Sequence, residues 1–181
     1  MPVTNDLKEV SNWSDDCKAL ERDTPVDETE TTGERRVRVA ALQRPGNEEA
    51  WFKYYFPNYY YAEAAPFHKI STKRLMAHME YYIVRAWSRE LAKDTRTMME
   101  VIKAALTGQK RSVLLISSSL DKAVKLLRPF KVNFESNQRI INDYGRQETY
   151  GEWTSNAFTT GCGCSFFAIG KGQTPRGLRN E

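Results

Sequence analysis

The sequence predicts an α/β fold built on a parallel sheet, and three observations predict it. Tyr82-Ile83-Val84-Arg85-Ala86-Trp87 is rich in β-branched and aromatic residues, the composition of a buried strand. Beyond a short turn, Met98, Met99, Ile102, Ala105 and Leu106 trace one face of a helix. Val113-Leu114-Leu115-Ile116 is then a continuous apolar run, the mark of a strand covered on both faces. Strand, helix and strand with short connections make a right-handed βαβ unit.

The remaining elements follow in chain order. Leu7, Val10, Trp13, Cys17 and Leu20 share one helical face over residues 5–22, and Thr24-Pro25 ends that helix. Residues 27–33 read as an acidic linker, and residues 34–43 as a basic helix closed by Pro45-Gly46. With too few large apolar residues for a core, residues 1–44 form a helical arm and linker, and residues 45–181 the main domain. Eight of the eleven residues from Trp51 to Tyr61 are aromatic. They offer a stacking platform for bases or, the favoured reading, pin a helix over 48–56 to the core. Ser71 is a plausible cap for a helix over 71–79. After a helix over 93–106 stopped by Gly108, another over 120–127 ends at Pro129, and residues 133–141 are helical. Residues 153–160 and 165–169 read as a strand pair joined through Gly161-Cys162-Gly163-Cys164. The glycine-rich basic run after residue 169 is an anion clamp or a flexible end.

The turn after the first predicted strand is the chemically suggestive stretch: Ser88-Arg89-Glu90-Leu91-Ala92-Lys93-Asp94-Thr95. A strand, a tight turn and a helix that opens with lysine is the layout of a phosphate loop. Free N–H groups and the positive end of the helix dipole favour phosphate there, and lysine adds a point charge. Against the strict form G-x-x-x-x-G-K-[ST] the loop is deviant. It contains no glycine, Ala92 stands before the lysine, and Asp94 replaces the hydroxyl that binds magnesium. An ordinary strand–turn–helix remains the other reading of the spacing.

Charge and composition narrow the classes. Among 181 residues the net charge is +4, but residues 1–34 carry −7 and the rest +11. Such a basic body suits nucleic acid or simply a solvated surface. No apolar stretch approaches the ~20 residues of a membrane span, and the polar N-terminus does not read as a secretory signal. Three cysteines, Cys17, Cys162 and Cys164, suggest reduced thiols. His68 and His78 lie far from the Cys162/Cys164 pair, so no metal site is expected.

Four pieces in order carry a resemblance: Ser88-Arg89-Glu90-Leu91-Ala92-Lys93; Val113-Leu114-Leu115-Ile116-Ser117 with Asp121-Lys122-Ala123; Glu135-Ser136-Asn137 with Asn142-Asp143-Tyr144-Gly145 and Trp153; and Gly170-Lys171-Gly172-Gln173-Thr174-Pro175-Arg176-Gly177-Leu178-Arg179. Together they resemble the N-terminal ATPase half of phage terminase large subunits, the motors that package viral DNA. The resemblance spans roughly residues 45–181. It implies a P-loop NTPase-like parallel sheet with flanking helices, ATP and Mg²⁺ as cofactors, and a homo-oligomeric ring when complete. The implied partners are double-stranded DNA, the portal protein and the small terminase subunit, in the cytoplasm of an infected bacterium. Arg89 matches the arginine that this family carries early in its loop. Lys93 would hold the phosphates, Phe67 and His68 would lie on the adenine side, and Arg176 or Arg179 would act across a subunit interface.

Two departures matter. A carboxylate at Asp94 repels phosphate unless Mg²⁺ sits between them. No apolar strand ending in paired carboxylates is present, Ile140-Ile141-Asn142-Asp143 being the nearest. The chain therefore reads as an incomplete ATPase domain, without the nuclease domain, and with weak ATP binding and no turnover of its own. The alternatives are a non-catalytic module that binds DNA or a partner, and another P-loop ATPase of the helicase kind.

Overall fold

A computed structural model of the chain describes residues 3–78, 80, 82–151 and 153–173, with side chains from residue 12 onward. Among the described residues, seven helices accompany a three-stranded mixed sheet: α1 (Val3–Asp23), α2 (Thr32–Gln43), α3 (Glu48–Tyr55), α4 (Pro66–Ala77), α5 (Lys93–Leu106), β1 (Ser112–Ser117), α6 (Leu120–Ser136), α7 (Gln138–Tyr144), β2 (Ala157–Thr159) and β3 (Ser165–Gly170). The architecture is thus α/β, but the sheet order is β1-β3-β2. β1 runs parallel to β3, from Ser112 opposite Ser165 to Ser117 opposite Gly170, and β2 pairs antiparallel with β3.

The first predicted strand is absent. Residues 82–88 have no regular secondary structure and no ladder partner, yet their exposure alternates: Tyr82 and Val84 are 89% and 72% exposed. The side-chain period is that of a strand. What is missing is a neighbouring backbone, which composition cannot supply. The expected parallel pair of residues 82–87 with 113–116 is therefore replaced by β1 with β3.

One apolar core joins the helices to one face of the sheet. Trp51, Phe52, Tyr55 and Phe56 are fully buried, so the helical half of the aromatic run serves as core, while Tyr61 is 88% exposed. Burying Phe52 and Phe56 contributes roughly 1.5–3 kcal/mol each. α6 lays Ala123, Leu127, Phe130 and Phe134 against the sheet, where Phe166 meets Phe134 at 5.4 Å and stacks on Phe158 at 4.9 Å. Val113, Leu115, Phe166 and Ala168 face this core. On the opposite face Leu114 and Ile116 are 38% and 63% exposed, so β1 is covered on one side rather than both. At the end of β3, a Cβ on Gly170 would stand 2.6 Å from the backbone nitrogen of Leu120. Only glycine lets the strand approach the start of α6 so closely.

Two helix boundaries differ from expectation. α4 starts at Pro66, which suits a first helical turn because it needs no N–H there, and Ser71 is buried in mid-helix. α6 runs through Pro129. Phe130 and Phe134 continue the buried face of Ala123 and Leu127, so burial outweighs the bond that proline removes. Asn137 then divides α6 from α7. Its Oδ1 accepts from Ile140 N–H at 3.1 Å, and its Nδ2 donates to the Tyr55 carbonyl at 2.7 Å.

The arm is fastened to the body. Thr24 Oγ1 donates to the Leu20 carbonyl at 2.7 Å and accepts from Gln138 N–H at 3.0 Å, so the end of α1 caps α7. From α2, Arg38 bridges Glu30 (2.6 Å) and the buried Asp143 (2.7 Å).

Candidate functional site

α5 begins at Lys93, and its first helical bond runs from Arg96 N–H to the Ala92 carbonyl at 2.8 Å. The N–H groups of Lys93, Asp94 and Thr95 therefore have no acceptor within the helix. The backbone just before them is unusual. Glu90 and Ala92 have φ of +67° and +51°, and they are the two positive-φ residues other than glycine among the described residues. A side chain in the left-handed region costs about 1–2 kcal/mol. Left-handed residues alternating with right-handed ones turn successive N–H groups into one concavity, the arrangement that cradles anions. Residues 88–94 are all exposed, and among the described residues no ion pair engages Arg89 or Lys93.

Aromatic side chains brace the loop from below. Trp87 packs edge-on against Phe67 at 5.1 Å and against His68 at 5.0 Å. His68 Nδ1 accepts from Ala65 N–H at 3.2 Å, and Nε2 lies 2.9 Å from the Leu91 carbonyl. The neutral ring with its proton on Nε2 satisfies both partners, and the tautomer is assigned from them. Beside the loop lies a cleft of about 180 Å³ lined by Tyr60, Tyr61, His68, Leu91, Thr95 and Met99.

A buried polar network ties the floor of the site together. Arg96, 3% exposed, pairs with Glu49 and donates to Thr72 Oγ1 at 2.7 Å. Thr72 also donates to the fully buried Glu100. Glu100 pairs with Arg85, which donates to Ser71 at 3.1 Å and to Thr97 at 2.9 Å. Burial alone would raise the Glu49 carboxyl, but the Arg96 and Tyr60 hydrogen bonds outweigh it and hold it below the usual carboxylate range. Residues 82–88, α3, α4 and α5 thus share one set of charges.

The structure brings together most of the residues that the sequence singled out. Residues 88–95, Phe67 and His68 form one locus, whereas Arg176 and Arg179 lie outside the described residues. Sequence reasoning missed Arg85, Arg96 and Glu100. The signal was an arginine and a glutamate at i and i+4 on the inward face of α5, a place where charges are rarely buried unpaired. The cysteines of the β2–β3 turn lie elsewhere, with Cys162 exposed and Cys164 buried. Among the described residues no cluster of His, Cys, Asp and Glu could hold a metal, and no helix is long and apolar enough to cross a membrane. No protein-family description, curated protein or solved structure matches the chain.

Proposed function

We propose that residues 88–95 form a phosphate-binding loop, and that the chain is the N-terminal ATPase portion of a terminase-like motor that packages double-stranded DNA. The observation that carries this reading is the pair of left-handed residues, Glu90 and Ala92, in a loop without glycine directly before Lys93. Strain of this kind is kept where the surroundings enforce it and a function uses it. A bound triphosphate would meet the free N–H groups of Lys93, Asp94 and Thr95, with the lysine ammonium on the outer phosphates. Arg89 is placed to meet the same charge. Mg²⁺ fits less well, since Asp94 offers a carboxylate where a hydroxyl is usual. Arg176 or Arg179 remains the proposed finger acting between subunits of a ring, with the portal protein and small subunit as partners in the host cytoplasm.

Residues 82–88 keep the side-chain period of the strand that this layout calls for but have no ladder partner, so the reading rests on the loop and α5. Titration with Mg-ATP, with and without Lys93→Ala, together with a phosphate-release assay, tests the proposal. Weak binding lost in the variant, without turnover, is the expected result. Equal affinities of the two proteins would remove the phosphate loop.

A second reading, a non-catalytic assembly module, draws on the bare face of the sheet at Leu114 and Ile116. Stable association with DNA or a partner without any nucleotide affinity would favour it. A helicase-like ATPase would instead hydrolyse ATP in response to single strands.

A further inference from the structure

His68 sits where two helix starts meet. It is the third residue of α4, and its Nδ1 accepts from the N–H of Ala65, the residue that caps α4. This is the returning half of a capping box, in which the third residue reaches back to the cap. The other ring nitrogen crosses to the preceding loop of α5 and bonds the Leu91 carbonyl at 2.9 Å. Leu91 lies between Glu90 and Ala92, the two residues held at positive φ. A peptide plane is rigid, so fixing the Leu91 carbonyl also fixes the N–H of Ala92 on the same plane. Trp87, packed on the imidazole at 5.0 Å, limits rotation of the ring.

We infer that His68 is a positioning residue: one imidazole spans the two helix starts and holds the loop in its left-handed, anion-receiving form before any ligand arrives. The inference rests on the phosphate-loop reading for its purpose, while the clamp itself is a property of the free protein. A preformed loop meets phosphate without first ordering its backbone. The two nitrogens have separate duties, one for α4 and one for the loop, and substitutions can divide them. Glutamine supplies an acceptor and a donor, as the neutral imidazole does. Glutamate supplies only the acceptor that caps α4. Leucine supplies neither.

The test uses the full chain with His68→Gln, His68→Glu and His68→Leu. Without ligand, the Ala92 carbon shifts and amide coupling in NMR spectra report left-handed backbone. The expected result is that His68→Gln keeps the left-handed signature, whereas His68→Glu loses it although the α4 amides stay protected from exchange. His68→Leu loses both. Unaltered Ala92 signals in the Glu and Leu variants would overturn the inference. Pyrophosphate binding is then titrated for wild type, His68→Gln, His68→Leu and Lys93→Ala. A loss of about tenfold with leucine and near-full retention with glutamine is expected, the size of one hydrogen bond's ordering. If wild type binds no pyrophosphate while Ala92 still follows His68, the phosphate reading fails and the clamp stands. If Lys93→Ala abolishes binding while the His68 variants change neither shifts nor affinity, the clamp fails and the phosphate reading stands.

Discussion

Arg85 Nη2 stands 2.6 Å from Glu100 Oε2, and the two side chains are 8% and 0% exposed. This contact joins the segment before the loop to the helix after it, so the loop is anchored at both ends. Glu100 also lies 3.6 Å from Arg96 and accepts from Thr72. Glu100 thus touches both buried guanidinium groups, and Glu49 supplies the second carboxylate, on Arg96.

Neutralising that carboxylate should be costly. Glu100→Gln leaves Arg85 without its counter-charge, and removing one partner of a buried pair costs about 3–5 kcal/mol. Urea unfolding should show a lower midpoint with an unchanged slope. A loss below about 1 kcal/mol would mean that water already screens the pair.

Glu49 gives the fold a specific sensitivity to acid. Its folded pKa is held below the ordinary glutamate value, because burial is outweighed by the Arg96 and Tyr60 hydrogen bonds. The stability it contributes is therefore complete above that ordinary value and is lost as pH falls through the folded value. Glu49→Gln should be less stable at pH 7, yet lose less stability between pH 5 and pH 3. Parallel stability curves for the two proteins would rule this out.

The three thiols should separate by reactivity. Burial pushes the Cys164 thiol up to about 12, so at pH 8 it is protonated as well as covered. Cys17 is also raised, chiefly by burial, and is only part-exposed. A disulfide reagent should label the exposed Cys162 first and Cys164 only on unfolding. Persistence of the fast phase in Cys162→Ser would contradict this order.

Asp94 should oppose the proposed ligand. Replacing it by serine restores a neutral hydroxyl, and Mg-ATP affinity should rise by on the order of 1–3 kcal/mol. Calorimetric titration measures the change directly. Weaker binding by the variant would identify the carboxylate as a metal ligand.

Where local chemistry decides an element, the sequence was a good guide. The described part of the α1 face (Trp13, Cys17 and Leu20), the face of α5, the aromatic face of α3 and the β2–β3 pair all appear where the sequence indicates. Pro129 misled because its penalty is local, while the burial of Phe130 and Phe134 is tertiary. Residues 82–87 misled for a related reason: their composition favours a strand, but a ladder needs a second backbone. At the site, spacing indicated Lys93 and the loop. The turn at Ala92 and the reach of His68 to Leu91, 23 residues away, depend on packing between α4 and α5. Nothing at either position alone encodes that contact.

The parallel pairing of β1 with β3 sets the order in which the molecule can form. α6, α7 and β2 intervene along the chain, so β1 cannot find its neighbour by a local hairpin. During synthesis at roughly 5–20 residues per second, Val113 to Ile116 emerge several seconds before Phe166 does. In that interval α6 is the nearest later element able to shelter the covered side of β1. The β2–β3 hairpin then closes through the tight turn around Gly163 and delivers β3 as a prepaired unit. A substitution that delays this turn lengthens the time for which an apolar strand waits open at both edges, and its first symptom is loss of yield during expression rather than a lower melting temperature of the finished protein.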